Sequence, residues 1–406
     1  MSTSLSTPLK DYSFSRLWIG QSLSRLGDSI ILVMLPLVVY HILGSTIDMG
    51  LVMTLLMVPQ VILLPFTGII ADRFSRTKLM VLSDLIRFCL LVVMASCSAF
   101  NWVNMFVLYG YAVIAGIMSA LFQPAYAAVR AQVFTPTIRN AANSLNQISE
   151  QMAMLIGPTI GGLIVSFTSL TVGFGLDALT FLVSIVTLLM LRVNEPLNKN
   201  SSTSLKSFAR ELLGGYRELR KHRWLWITII AFTFINIAFA GFVPILIPWL
   251  IKKHIGLPAY AYGLLISASG MGSLIVALCF GKRQKWNHRG LYAYCGIIFS
   301  GMALGGMVFV SWLPGLMLLM GSYGIGITLF DLIWEGSLQE IVPREAYGRV
   351  ASLDMLGGWA LIPIGYFATG VLMKSIGGTD TMLIESLLVI GLTAAMLFIK
   401  DIRSFD

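Results

Sequence analysis

The chain has 406 residues, of which 57% are hydrophobic and only 12% charged, and it carries a net charge of +9. Soluble globular chains carry roughly 25% charged residues, so a water-exposed surface over most of this chain is excluded, and a mean hydropathy of +0.83 makes the membrane span the natural unit. The positive charge is not a nucleic-acid signal, because the 28 lysines and arginines segregate by loop parity, as the positive-inside rule requires of a membrane protein.

A bilayer crossing takes about 20 apolar residues over a core of roughly 30 Å. Twelve such runs occur, near 16–43, 47–70, 79–99, 103–128, 144–168, 171–193, 223–251, 259–280, 290–312, 314–338, 349–373 and 379–400. With the N-terminus inside, only Lys252, Lys253 and Lys374 fall on the translocated side, and Arg25 and Arg87 lie within spans. The reading is a multi-pass protein of the cell membrane, the bacterial cytoplasmic membrane in particular, with both termini cytoplasmic. Residues Met1 to Ser15 are polar and lack a small-residue cleavage site, so no signal peptide is expected to be removed. Cys89, Cys97, Cys279 and Cys295 sit in or beside apolar runs without CxxC spacing and are read as buried packing residues.

Span 1 holds the deepest ionisable group. At 1.5 Å per residue, Asp28 lies about 18 Å from the cytoplasmic start of its helix, near the middle of the core, where charges are costly and are functional candidates. Arg25 stands one turn away on nearly the same face. A carboxylate that meets alternately two aqueous sides and a cationic partner can load and release a proton, so Asp28 and Arg25 are the first coupling candidates. A permanent ion pair orienting span 1 is the competing reading.

The loop between spans 2 and 3 reads Gly68-Ile-Ile-Ala-Asp72-Arg73-Phe-Ser-Arg76-Thr-Lys78. It resembles the G-x-x-x-D-R-x-x-R-[KR] signature of the major facilitator superfamily, with Lys78 displaced by one place. The resemblance implies a conformational latch on the cytoplasmic side. Gly68 would permit close helix contact, and Asp72 would accept hydrogen bonds at a helix N-terminus, with the start of span 11 around Asp354 as partner. Span 3 repeats the acid–base spacing in Asp84 and Arg87, at a shallower depth that suggests a structural pair. Span 4, Phe106 to Ala128, contains no arginine, so the coupling scheme of relatives with a basic residue there does not transfer.

Span 5 carries Glu150, the next candidate for a proton or cationic-substrate site. It then reads Gly157-Pro158-Thr159-Ile160-Gly161-Gly162, which resembles the G-P-x-x-G-G signature of the superfamily's drug/proton antiporters. Pro158 frees a carbonyl and bends the helix, and the glycines allow tight packing. Between the halves, 194–222 is a polar linker followed by an amphipathic segment, Leu205 to Arg220, of the kind that lies at an interface. Asp177-Ala178-Leu179-Thr180-Phe181 in span 6, with Trp334-Glu335, Gln339-Glu340-Ile341-Val342-Pro343-Arg344 and Gly348-Arg349-Val350, resembles the twelve-helix exporter branch that includes macrolide efflux and enterobactin exporters.

A weak internal repeat supports two related halves. Phe134-Thr135-Pro136 with Arg139 and Ser144 precedes span 5, and Ile341-Val342-Pro343 with Arg344 and Ser352 precedes span 11. Parallel repeats with a midplane substrate site are one architecture of secondary transporters. The expected fold is an all-α membrane protein, two pseudo-symmetric six-helix bundles of the major facilitator type over 1–193 and 223–406. Trp334, Trp359, Phe234 and Phe239 could line an apolar binding cavity, but no substrate contact is assigned to them, since aromatic residues at helical spacing more often pack or face lipid.

The expected function is secondary active transport, namely proton-coupled efflux of hydrophobic or amphipathic drugs or metabolites by alternating access. Its partners are a small-molecule substrate, protons and the bilayer, with no nucleic acid, in a monomer that needs no cofactor or metal. The chain has no GxxxxGK[ST] nucleotide loop, and its four histidines are scattered at span ends, so an enzyme is not expected. A narrow-substrate sugar, metabolite, siderophore or lipid carrier of the same fold is the alternative within transport. A non-transporting sensor or scaffold is the alternative outside it.

Overall fold

The computed structural model describes residues 6–135, 137–191, 193, 216–280 and 288–403. Among them helix is the only regular secondary structure: α1 Tyr12–Leu43, α2 Thr46–Arg73, α3 Arg76–Ala99, α4 Met105–Val133, α5 Arg139–Phe167, α6 Leu170–Leu189, α7 Arg223–Ala240, α8 Tyr260–Phe280, α9 Arg289–Gly306, α10 Leu313–Ile341, α11 Arg344–Trp359, α12 Ile362–Ile376, α13 Gly378–Leu397 and a last turn, α14 Lys400–Arg403. Twelve segments of the described residues are long and apolar enough to cross a bilayer. They match the runs read from the sequence, although the fourth and seventh continue to Val133 and Ile255. Backbone groups cannot be left unpaired in lipid, so a helix persists past its most apolar stretch until a polar cap is available.

Those caps are local. Asp11 accepts the Phe14 N–H at 2.8 Å at the start of α1, Asn104 accepts those of Phe106 and Val107 at α4, and Ser169 that of Val172 at α6. Each satisfies donors that the helix leaves open. Gly44 closes α1 with φ 61°, a left-handed conformation that glycine adopts without strain, and its N–H reaches the Tyr40 carbonyl at 3.0 Å. Prolines set the irregular spans. After α7 the chain runs through π-helical stretches Phe242–Leu246 and Leu250–Ile255, where Pro244 and Pro248 cannot donate to the regular ladder. Span 11 is divided between α11 and α12, with Pro363 in the first turn of α12, where its missing N–H costs nothing.

Two compact units result, Met1–Gly44 with Leu55–Leu205, and Ser45–Thr54 with Lys206–Asp406. In the first, α1 packs against α5 and α6, and α3 against α4 and α6, around a core that includes Phe14, Leu17, Met80, Phe122 and Phe134. A Cβ on Gly161 would lie 2.7 Å from the Ile30 carbonyl oxygen, and one on Gly157 would lie 2.5 Å from the Ser29 Cβ. The glycine-proline stretch of α5 is therefore its contact with α1. In the second unit α10 packs against α8 and α9, and α7 and α9 against α13. There the first residues of α2 pack on α12, Thr46 donating to the Gly370 carbonyl at 3.3 Å and Thr54 to that of Pro363 at 3.0 Å.

One expectation is corrected. Cys89, Cys279 and Cys295 are exposed, Cys97 is half-buried, and all four thiols are free. A thiol behaves as a small hydrophobe, and on a helix surface facing lipid there is no gain in turning it inward. Residues 194–215, which hold the polar linker and most of the expected helix Leu205 to Arg220, and Pro136 of the repeat lie outside the described residues.

Candidate functional site

Two groups of charged side chains stand out among the described residues of the first unit. Arg25 bridges three helices: its guanidinium lies 2.7 Å from the Glu150 carboxylate and 3.0 Å from the Asn146 amide oxygen, both on α5, and 3.2 Å from the Tyr126 hydroxyl on α4. Tyr126 in turn donates to Asn146 at 3.0 Å. The structure thus pairs Arg25 with Glu150 rather than with Asp28 at i+3, because the long side chain finds both a carboxylate and neutral acceptors where α1 meets α5. The arginine side chain is 22% exposed and Glu150 35%, a wet pair of modest worth.

The other group gathers around Arg87. Asp84, fully buried, accepts the Ser184 hydroxyl at 2.7 Å through Oδ2, and Ser184 accepts from the Gln21 amide at 3.0 Å. Its Oδ1 has no hydrogen bond and faces the Arg87 guanidinium at 3.9 Å. That guanidinium donates to Ser119 at 2.9 Å and lies 5.2 and 5.4 Å from the ring centres of Phe122 and Phe181, so cation–π attraction supplements the ion pair. Asp177, buried on α6, accepts the Thr180 hydroxyl at 3.1 Å. Asp28 is exposed, and the charges acting on it are those of Arg87 and, less strongly, Arg25. Asp177 in turn feels Asp28 and Arg87. Three carboxylates, Asp28, Asp84 and Asp177, therefore share the field of one arginine that has no other acidic partner among the described residues.

Sequence reasoning singled out Asp28 here, treated Asp84 and Arg87 as a structural pair, and named Asp177 only within a span 6 motif. The assembly depends on how closely α1 approaches α6. The α1 backbone at Gly20 meets Ser184 and Thr187, and at Gly27 it meets Asp177 and Thr180. The glycines and the polar pairs share a seven-residue spacing, a signal available in the sequence.

The signature-loop residues fall as follows. Gly68, Asp72 and Arg73 lie at the end of α2, with side chains outside the described ones. Arg76 opens α3, and Lys78 is exposed, its N–H donating to the Ser75 hydroxyl at 3.3 Å. Asp354, in the second unit, accepts the indole N–H of Trp334 at 3.1 Å. In α5, Gly157, Pro158, Gly161 and Gly162 are all buried.

The second unit contains a cavity of about 580 Å³. Phe232, Phe330 and Trp334 wall it as a stack, with ring centres 4.0 and 6.0 Å apart and planes within 21° and 11° of parallel. Trp359 and Phe239 also line it, whereas Phe234 points outward and is 54% exposed. Asp331, Glu335 and Asp354 are in the lining, which includes no lysine, arginine or histidine among the described residues. Tyr347 donates its hydroxyl to Glu335 at 3.2 Å. Burial and then the Glu335 charge push that phenol above its usual range, so it remains a donor.

With this geometry in view, comparison with known proteins is informative. The sequence profile of the Major Facilitator Superfamily matches residues 17–365. The chain is 27% identical over 382 residues to the uncharacterized MFS-type transporter YfiS of Bacillus subtilis, covering 88% of this chain and 90% of that one. It is 24% identical to macrolide efflux protein A of Streptococcus pyogenes, covering 97% of each, and 24% identical to the enterobactin exporter EntS of Citrobacter koseri, covering 97% and 93%. Among solved structures, the nucleoside transporter NupG superposes with a TM-score of 0.72 at 16% identity, over 97% of this chain and 99% of that one. That likeness speaks for the fold.

Proposed function

Because the chain belongs to the major facilitator superfamily, we propose that it is a proton-coupled exporter of hydrophobic or amphipathic compounds, working by alternating access in the cell membrane with both termini cytoplasmic. The observation that carries this reading is the buried Asp84–Arg87 pair, 3.9 Å apart, with buried Asp177 packed against α1 at Gly27, the residue before Asp28. This assembly has more acids than cations in a membrane-spanning bundle, so the number of protons it holds sets its net charge, and an uncompensated charge in that setting is costly. A conformational change that alters the water access of Asp28 can therefore be driven by proton gain and loss. Asp28 is the exchanging group, Arg87 the fixed counter-cation, and Arg25 with Glu150 a secondary pair that answers to the same change. The relatives named for macrolide efflux and enterobactin export favour outward transport.

A carrier of one narrow substrate, such as a siderophore, is a second reading, favoured by the enterobactin exporter among the relatives. The test is accumulation of ethidium and a panel of lipophilic antibiotics in pump-deficient bacteria expressing the chain, with and without a protonophore. Lower accumulation that the protonophore abolishes, and that Asp28→Asn also abolishes, supports proton-driven export. Unchanged accumulation with verified membrane expression favours the narrow carrier. Activity that survives Asp28→Asn and the protonophore refutes the coupling role.

A further inference from the structure

We propose that the aromatic chamber of the second unit is the substrate site and that it selects for positive charge, taking an organic cation with a bulky or flat apolar body, such as an amphipathic amine. The inference deepens the export reading and rests on it only in calling the ligand a substrate. At about 580 Å³ the cavity is within the size range of small-molecule sites. Five aromatic side chains, Phe232, Phe239, Phe330, Trp334 and Trp359, line it, and an aromatic wall favours an apolar cation over a neutral molecule of the same shape, since the ring quadrupole attracts positive charge.

The helix α10 arranges both features. Phe330 and Trp334 are four residues apart and form one ridge, and Asp331 and Glu335, also four apart, form the next. Three carboxylates alone would be only an acidic patch. Here they rim a cavity whose walls offer apolar contact, and their protein partners do not neutralise them. Asp354 accepts from the Trp334 indole and Glu335 from the Tyr347 hydroxyl, both neutral donors. Asp331 has no hydrogen bond or ion pair among the described residues, and it feels the like charges of Glu335 and Asp354. With no basic side chain among the described residues of the lining, a bound cation supplies the missing compensation. An anion of the same shape meets repulsion from all three.

The experiment uses the purified full chain in lipid nanodiscs, without a gradient, and radiolabelled tetraphenylphosphonium as probe. Unlabelled tetraphenylphosphonium is expected to displace it at a concentration at least about tenfold lower than neutral triphenylphosphine oxide. Asp331→Asn should weaken binding at least about tenfold, with Glu335→Gln as a second variant should the first fail to fold. Equal displacement by the neutral compound overturns the proposal, as does wild-type affinity in the folded variants or no saturable binding of the probe. Because binding is read without a gradient, its failure is separable from failure of the export reading. Selective binding with no efflux in cells would sink export alone, and protonophore-sensitive efflux with no charge selectivity would sink this inference alone.

Discussion

Replacing Arg87 with methionine removes the shared cation while keeping an unbranched side chain against Phe122 and Phe181. Two unit charges 3.9 Å apart attract by about 4 kcal/mol at an effective dielectric constant near 20. Removing one partner from a buried pair leaves the other uncompensated, at a typical cost of about 3–5 kcal/mol. Asp84 is fully buried, and its Oδ1 has no hydrogen bond to fall back on, so the upper part of that range applies. The double variant Arg87→Met/Asp84→Asn removes both charges and should recover at least about 2 kcal/mol of the loss as coupling energy. Unfolding of the purified protein by SDS, followed by tryptophan fluorescence, measures all three species. If Arg87→Met unfolds at the wild-type denaturant concentration, or if Asp84→Asn gives no rescue, the two groups do not act as a buried pair and the account of this assembly is wrong.

Gly161→Ala places a methyl 2.7 Å from the Ile30 carbonyl, backbone that cannot step aside, and should lower stability by about 1–3 kcal/mol. Gly175→Ala, with open space around it, should be near neutral in the same melting assay. Opening the Arg25–Glu150 pair with Glu150→Gln should change stability by no more than about 1 kcal/mol, and a larger loss would mean the pair is drier than its exposure indicates. Thr369→Val removes the hydroxyl that donates to buried Glu385 at 2.6 Å, whose other oxygen already lacks a partner. It should cost about 1–3 kcal/mol, and Thr369→Val/Glu385→Leu should regain part of that in the SDS titration. Substituting all four cysteines by alanine should leave efflux and melting within error, and reductant should shift neither, since no thiol is paired.

The span pattern was legible because the bilayer imposes one rule on every crossing: a continuous apolar run with backbone groups paired within the helix. The caps at Asp11, Ser75, Asn104 and Ser169 and the breaks at Pro244, Pro248 and Pro363 are equally local. The family signatures were legible too, and the glycines of span 5 do meet α1 closely at Ser29 and Ile30. Cysteine placement was misread because hydropathy does not distinguish a helix face turned to lipid from one turned to the core when both are apolar.

What the sequence determined by itself is the number of spans, their approximate limits and the family. Which charges act together across helices was decided only by tertiary structure. Helical spacing puts Arg25 beside Asp28, yet its carboxylate partner comes from α5, 125 residues along the chain, at 2.7 Å. Asp84 meets Arg87 through helical spacing on α3, but Asp177 comes from α6, which packs against α3, and Asp28 joins them because Gly20 and Gly27 let α1 lie against α6. The same holds for the chamber: α10 lines up its aromatic and acidic ridges locally, but Phe232, Tyr347 and Asp354 are delivered by α7 and α11. A charge or ring acquires a partner through distances of a few ångströms between helices, and in an apolar span hydropathy specifies neither which face is buried nor what that face meets.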